Sequence, residues 1–478
     1  MKLLFSTDII NSMKRAIILP LVYFVSAGFI FSQENQETRK EPRAISTKEY
    51  EHTENTENSG EATKLSVEDA VSLAKKNNVS ISRAQITLDA AKRTKDHSWN
   101  SISPTASLSA SSSIPIGALS DNDAGYNASF GISATVSLSL SANLYTTMNS
   151  AKISYESGKL DFNDAVRSIE LSVRETYYGL LYEQENIILQ EKNLEIARTQ
   201  YNNNLAKYNQ GRLSEIDVLS AEVNYKSKIP TVESARTTFR NDMASFKQAL
   251  GLPIDERIEL TGSLDDMINL NEIKVEMKDI NSSTIKTLEY KLEAAKNTVL
   301  DKRFSAFAPS LSASLDWSDK TWYSGYDESV VGKAKSDPEK STSVTLKVSI
   351  PLDGVLPWSS RNDAIDSAKD TVKDLELQIE DEKKSLMRTI IQSVRSIKQS
   401  QESIKYKQAN VELAQKTYDM TQEAYNRGTK DLLTLQDANT SLLNAQVTLK
   451  SETLTLIKAI LELENTIGAD FGTLGVEK

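Results

Sequence analysis

The side chains that most often do chemistry are scarce or scattered in this chain. It has no cysteine, which excludes disulfides, thiolate metal sites, thiol catalysis and lipidation of an N-terminal cysteine. Its two histidines stand apart, His52 in a polar tract and His97 near the end of a helical pattern. Carboxylates are plentiful, yet none forms a recognisable constellation with a base, a nucleophile or metal-ligand spacing. The sequence therefore predicts no enzyme, no cofactor and no metal centre. What does recur at fixed spacing is a turn: Tyr208-Asn209-Gln210-Gly211 returns 217 residues later as Tyr425-Asn426-Arg427-Gly428.

That recurrence belongs to a duplication of the whole plan. At the same spacing Ala221 meets Ala438, Gly251 meets Gly468, and Ser150-Ala151-Lys152 meets Ser367-Ala368-Lys369. Upstream, Ala90-Ala91-Lys92 resembles Ala294-Ala295-Lys296, and the run from Pro104 resembles the run from Pro309. Each copy reads helix, strand, strand, very long helix, break, helix. A period this long marks a duplicated domain and not a short-repeat solenoid. The predicted layout is an export signal over 1–32, a polar lead-in over 33–63, a first repeat over 64–253, a linker over 254–282, a second repeat over 283–468 and a tail over 469–478.

Composition narrows the class. The chain has 478 residues with 56 basic against 66 acidic side chains, a net charge of −10. No concentrated basic face stands out, which argues against nucleic-acid binding. Lys14-Arg15 precede an apolar stretch from Ala16 to Phe31, with small residues at Ser26-Ala27-Gly28 and Ser32; that order is the order of a secretory signal. Met13 offers a second possible start. No later segment is apolar for the roughly 20 residues that a spanning helix needs. A membrane crossing must therefore use strands.

The strands are legible. From Ala128 to Leu144 the even positions are all apolar and the odd ones are Ser, Gly, Thr or Asn. Val344, Leu346, Val348 and Ile350 alternate in the same way with polar neighbours, and shorter partners run from Thr105 to Ile114 and from Ser310 to Trp317. Strict period-two alternation puts one face in an apolar medium and the other in water. The loops between paired strands are expected over 115–127 and 318–341. Four strands cannot close a transmembrane barrel, which needs at least about eight, so oligomerisation follows.

The helices come next. From Ser359 to Asn426 there is no proline or glycine, and apolar residues such as Ile365, Ile379, Leu386, Ile390, Ile397 and Ile404 recur near the coiled-coil period. At ~1.5 Å per residue such a helix is about 100 Å long. The first copy, from Ser150 to Tyr208, reads slightly shorter. The returning helices, 214–250 and 432–467, cover about half that length by the same rise. Helices near 66–99 and 283–307 can stack end to end with them. Pro230 predicts a kink.

Strand pairs feeding paired long helices, duplicated behind an export signal, resemble the TolC family of outer-membrane channels over about Lys64 to Gly472. The most specific motif is the turn: Tyr208 to Gly211 followed by Asp217-Val218 and Ala221, and Tyr425 to Gly428 followed by Thr434-Leu435 and Ala438. The resemblance implies a mostly α, α+β fold in which three chains close a twelve-stranded outer-membrane barrel. A long antiparallel coiled-coil α-helical barrel would continue it into the periplasm. It implies a homotrimer in contact with outer-membrane lipid, acting as a passive exit duct with a periplasmic adaptor and an inner-membrane transporter.

Site residues are implied in the same way. The family's closing contact between a tip aspartate and a tyrosine falls on Asp217 and Tyr425. Lys430 matches a second latch, although Ile216 replaces its usual hydroxyl partner. Of two aspartate rings at the entrance, Asp437 keeps one while Thr434 stands in the other. The turns Gly211-Arg212 and Gly428-Thr429 would meet the adaptor. A periplasmic adaptor or a structural coiled-coil protein of the envelope is the alternative. Adaptors should carry one hairpin with glycine-rich β modules, and a filament leaves the amphipathic strands unexplained.

Overall fold

The computed structural model describes residues 63–113, 126–264, 280–325 and 335–474. The expected export signal, the lead-in up to residue 62, residues 114–125 and 326–334 of the two loops, residues 265–279 of the linker and residues 475–478 lie outside this set. The elements in chain order are β1 (Thr63–Leu65), α1 (Val67–Asn77), α2 (Val79–Asp96), β2 (Thr105–Ser113), β3 (Tyr126–Ser141), α3 (Asn143–Asn209), α4 (Glu215–Leu250), β4 (Ile258–Leu260), α5 (Ser283–Phe307), β5 (Ser310–Gly325), β6 (Lys335–Ser349), α6 (Ser360–Asn426) and α7 (Leu432–Ile467).

The four long strands form one antiparallel sheet in the order β2-β3-β5-β6. Its register keeps the two chemistries on separate faces. Ala106, Val136, Leu315 and Val344 lie in one row, and Thr105, Ser137, Ser314 and Thr345 in the next. Hydroxyls pair across the polar face, as in Ser109 with Ser133 and Ser318 with Ser341, both at 2.8 Å. There Asp316 accepts hydrogen bonds from Thr135 (2.9 Å) and Ser314 (2.8 Å). In the described chain β2 and β6 are the outer strands, each with one neighbour.

Strand lengths differ from the expectation at two places. β5 and β6 continue to Gly325 and from Lys335, so much of the stretch read as a loop over 318–341 is paired strand. The alternation fades there because Asp319 and Lys340 occupy the face that is apolar elsewhere, and they pair at 3.4 Å. At the other end β3 stops at Ser141, and Leu144, read as strand, already lies in α3. Asn143 fixes that start: its side-chain amide donates to the Asp301 carboxylate on α5 at 2.7 Å.

α3 and α6 each run for 67 residues, so the long helix of the first copy is not the shorter one. Each is paired with a 36-residue returning helix, α4 or α7. The returning helices end at glycines in the left-handed conformation, Gly251 (φ 72°) and Gly468 (φ 76°), the usual closure of an α-helix. At these ends the next helix begins. The Asn78 side chain, which caps α2, donates to Ala249 O at 2.8 Å, and Asn281 N donates to Ile467 O at 2.7 Å. A Cβ on Gly251 would lie 2.6 Å from Asn77 Cβ, and one on Gly468 2.4 Å from Asn281 O, so only glycine permits the two joints. Helices thus meet end to end as the spacing predicts. The stretch 66–99 is not one helix, however, because Asn78 ends α1 and opens α2. α4 runs on through Pro230 as one continuous helix.

The largest core lies around the joint of the first copy. Val173, Tyr177, Leu180 and Leu181 of α3 pack with Ala70, Val71 and Ala74 of α1, Phe246 and Leu250 of α4, and Ile457 and Leu461 of α7. A second cluster joins Leu386, Ile390, Ile397 and Ile404 of α6 to Leu456, Ile460, Leu463 and Ile467 of α7, the stripe that the coiled-coil period predicts. A parallel pair β1–β4 closes over the first core, with the Tyr177 hydroxyl bonded to Leu65 O and Thr261 O at 2.8 and 2.6 Å. Three residues per strand gave no readable pattern.

Candidate functional site at the paired helix turns

Both long helices close at their far ends on the same turn. Gly211 (φ 70°) and Gly428 (φ 74°) take the left-handed conformation. Arg212 N donates to Lys207 O and Thr429 N to Ala424 O, both at 2.9 Å, while Gly211 N and Gly428 N reach Tyr208 O and Tyr425 O. This is the Schellman arrangement, which uses carbonyls that the helix end leaves free. Nothing lies within 4 Å of a Cβ at either glycine, and Gly211, Arg212, Gly428 and Thr429 are all exposed. Backbone conformation, not crowding, requires glycine at the turns.

The helices that leave the turns are capped reciprocally. In the first copy Ser214 is the N-cap: its hydroxyl accepts from Asp217 N (3.3 Å) and donates to the Asp217 carboxylate (2.6 Å). In the second copy Asp431 is the N-cap; its carboxylate accepts from Thr434 N (2.9 Å) and from the Thr434 hydroxyl. The two positions have exchanged acid and hydroxyl. Those bonds from Thr434 hold the Asp431 carboxyl below the ordinary carboxylate range.

Against that geometry the expected gate contact differs. Tyr425 donates to Asn204 Oδ1 at 2.6 Å, while the Asp217 carboxylate is engaged by Ser214. Within the described chain, then, Tyr425 bonds Asn204, and no hydrogen bond joins it to Asp217. Burial raises the Tyr425 hydroxyl above its ordinary pKa, with the nearby Asp217 charge adding to it and the Asn204 bond opposing it. Lys430 is exposed and makes no ion pair among the described residues, and Ile216 beside the turn is 78% exposed. Asp437 is exposed on α7.

The sequence reading missed the row that joins the two copies. Asn193, Ala197, Gln200 and Asn204 of α3 are all buried, at coiled-coil spacing. Asn439 of α7 donates to Asn193 at 2.6 Å. Gln200 Nε2, Asn204 Nδ2 and Gln436 Nε2 are buried without a partner among the described residues. The signal in the sequence is three amides on one heptad stripe, positions where a coiled coil ordinarily carries apolar side chains.

A sheet with one apolar and one hydroxyl face, continued into duplicated helices about 100 Å long, defines a membrane-anchored tunnel protein. The chain matches the family model "Outer membrane efflux protein" over residues 70–252 and 279–469, and it belongs to that family. It is an outer-membrane efflux channel that extends into the periplasm. Among solved structures it is similar to the CmeC outer membrane channel of Campylobacter jejuni (TM-score 0.65, 19% identity, 86% of this chain and 87% of that one). It is also similar to VceC of Vibrio cholerae (0.61, 16%, 85% and 96%) and to the open state of MtrE of Neisseria gonorrhoeae (0.59, 15%, 84% and 89%). At these identities the likeness is one of fold. No curated protein sequence matches the chain.

Proposed function

We propose that three copies of this chain form the passive exit duct of a tripartite efflux or secretion system. A periplasmic adaptor docks at Gly211-Arg212 and Gly428-Thr429, and an inner-membrane transporter supplies the energy. The observation that carries this reading is the four-stranded sheet, whose outer strands β2 and β6 each have one neighbour. In lipid an unpaired strand edge costs several kcal/mol per backbone group. Three sheets joined edge to edge close twelve strands. The entrance then lies where the helix turns gather. Asp217, Tyr425 and Lys430 are its gating residues, and Asp437 with Thr434 sets its selectivity. Light scattering on the detergent-purified protein should give three times the chain mass; a stable folded monomer would sink the proposal.

A further inference from the structure

The two copies differ in how a strand hands over to its long helix. In the first, only Ala142 separates β3 from α3; in the second, residues 350–359 lie between β6 and α6. This segment, Ile350-Pro-Leu-Asp-Gly-Val-Leu-Pro-Trp358, is mostly apolar and exposed. Leu352 is 73% and Trp358 81% exposed, and Ile350, Val355 and Leu356 are exposed too.

It is also built rigidly. The Asn362 side chain donates to Gly354 O (2.9 Å) and Leu356 O (2.7 Å), and Arg361 Nε to Asp353 at 2.7 Å. Val355 N, Leu356 N and Ser359 N bond back to Leu352, Asp353 and Leu356 carbonyls. A Cβ on Gly354 would sit 2.4 Å from Ala306 O, so the segment is seated against the end of α5. Much of its backbone is satisfied internally, which a water-poor environment requires.

The sheet gives its depth. The Asp319–Lys340 pair interrupts the apolar face, and charges on a lipid-facing surface are tolerated toward the interface. The apolar band of such barrels is ~25 Å tall with strands tilted about 40°. At about 3.4 Å per residue along the strand, that band spans about ten residues, from Lys340 to Ile350. The stripe Val344, Leu346, Val348 fills it. Trp99, Tyr145 and Phe307, at the same ends of β2, β3 and β5, are 55%, 61% and 49% exposed.

We infer that the segment 350–358 is an apolar foot that beds in the interfacial layer of the inner leaflet of the outer membrane, one foot per chain, and sets the depth of the channel. The inference rests on the proposed barrel. Because the chain lacks cysteine, the variants Leu346→Cys, Leu352→Cys and Trp358→Cys can each carry one fluorescent label in the full-length protein reconstituted in phosphatidylcholine vesicles. Bromines deep in the acyl chains should quench the label at 346, and bromines near the glycerol should quench those at 352 and 358. Aqueous iodide should quench none of the three strongly. If 352 and 358 are shielded from both lipid bromine and iodide, a neighbouring copy covers them and the inference is overturned. Quenching there by iodide alone places them in water and also overturns it. A label at 346 that no lipid quenches would instead refute the barrel.

Discussion

The joint and the turn are two ends of the same helices, yet they are held by different chemistry. Around the joint of the first copy, Tyr177, Leu180, Phe246 and Leu250 are all but inaccessible, and the Tyr177 and Phe246 rings meet at 6.3 Å. Burying one such side chain is worth about 1.5–3 kcal/mol. Toward the turn the apolar cluster is small, Tyr418, Leu435 and Leu442 with Ile196 against them. The buried row Asn193, Ala197, Gln200 and Asn204 makes two hydrogen bonds, while three amide nitrogens lack partners among the described residues. A net hydrogen bond contributes about 0.5–1.5 kcal/mol, and each orphaned buried amide costs about 1–3 kcal/mol. One end is built to stay, the other to let go. Opening of the entrance should therefore separate α3 from α6 and α7 near the turns while the joint stays closed.

The largest effect should come from breaking the apolar end. Phe246→Ala is expected to cost about 3–5 kcal/mol, read as a lowered thermal unfolding temperature of the detergent-solubilised protein. Asn193→Ala should cost clearly less. If the two losses were equal, the division between ends would fail.

The second effect tests whether the firm end is wholly apolar. Glu183 of α3 faces Asp242 of α4, and burial first, then that neighbour, raises its pKa to about 7. The folded state thus keeps a proton that the unfolded chain releases in the ordinary carboxylate range. The stabilisation is full below that range, falls as pH rises through it towards about 7, and is level above. Glu183→Gln should flatten the decline, measured as unfolding temperature against pH. An unchanged slope would assign the pH dependence to other groups.

How far this was legible follows from what each element needed. Strands β3 and β6 showed through because one face is apolar and the other carries hydroxyls, and the register separates Val136 and Leu346 from Ser137 and Thr345. Beyond the Asp319–Lys340 pair the alternation vanishes from β5 and β6 although the pairing continues. The α6 stripe was legible because a long coiled coil repeats its demand many times. Asn78 was not, since one capping side chain carries no period. The buried tail clamp was hidden for a related reason: Glu464 accepts backbone bonds from Gly472, Thr473 and Leu474 at 2.8–2.9 Å, and nothing in an i, i+8 separation announces such a contact. Of the site, the turns and their glycines were readable, while the partner of Tyr425 was not. Asn204 stands 221 residues away on another helix, and its approach to Tyr425 follows from packing that no local spacing records.

A smaller effect should appear at the polar row itself. Tyr425→Phe or Asn204→Ala removes one bond, about 1 kcal/mol, and should raise single-channel conductance in a planar bilayer. Asp217→Ala, which frees Ser214 rather than Tyr425, should raise it less. Gln200→Leu replaces an orphaned amide with an apolar side chain and should lower conductance by holding the entrance shut. A closed-state conductance that responds to Asp217→Ala and ignores Asn204→Ala would return the latch to the aspartate and show that the row does not govern release.

The smallest effect concerns the charges proposed to line the entrance. Asp437 is exposed on α7, so three copies would present a ring of carboxylates of the kind that favours cations in pores. One turn closer to the tip, Thr434 adds no charge, and its hydroxyl is already committed to Asp431. Exposed charges interact weakly through water and are screened by salt, so a single ring should give only modest selectivity. Asp437→Ala should reduce the cation preference of the bilayer current and weaken block by a trivalent cation added from the periplasmic side. Thr434→Asp should strengthen both by adding a second ring. It would also place a like charge beside the Asp431 cap and lose that cap's hydroxyl bond, which should loosen the start of α7. Selectivity and conductance would then rise together in Thr434→Asp, whereas Asp437→Ala should leave conductance nearly unchanged. If Asp437→Ala alters conductance as much as Asn204→Ala does, the acid belongs to the seam that holds the copies together and not to the lumen.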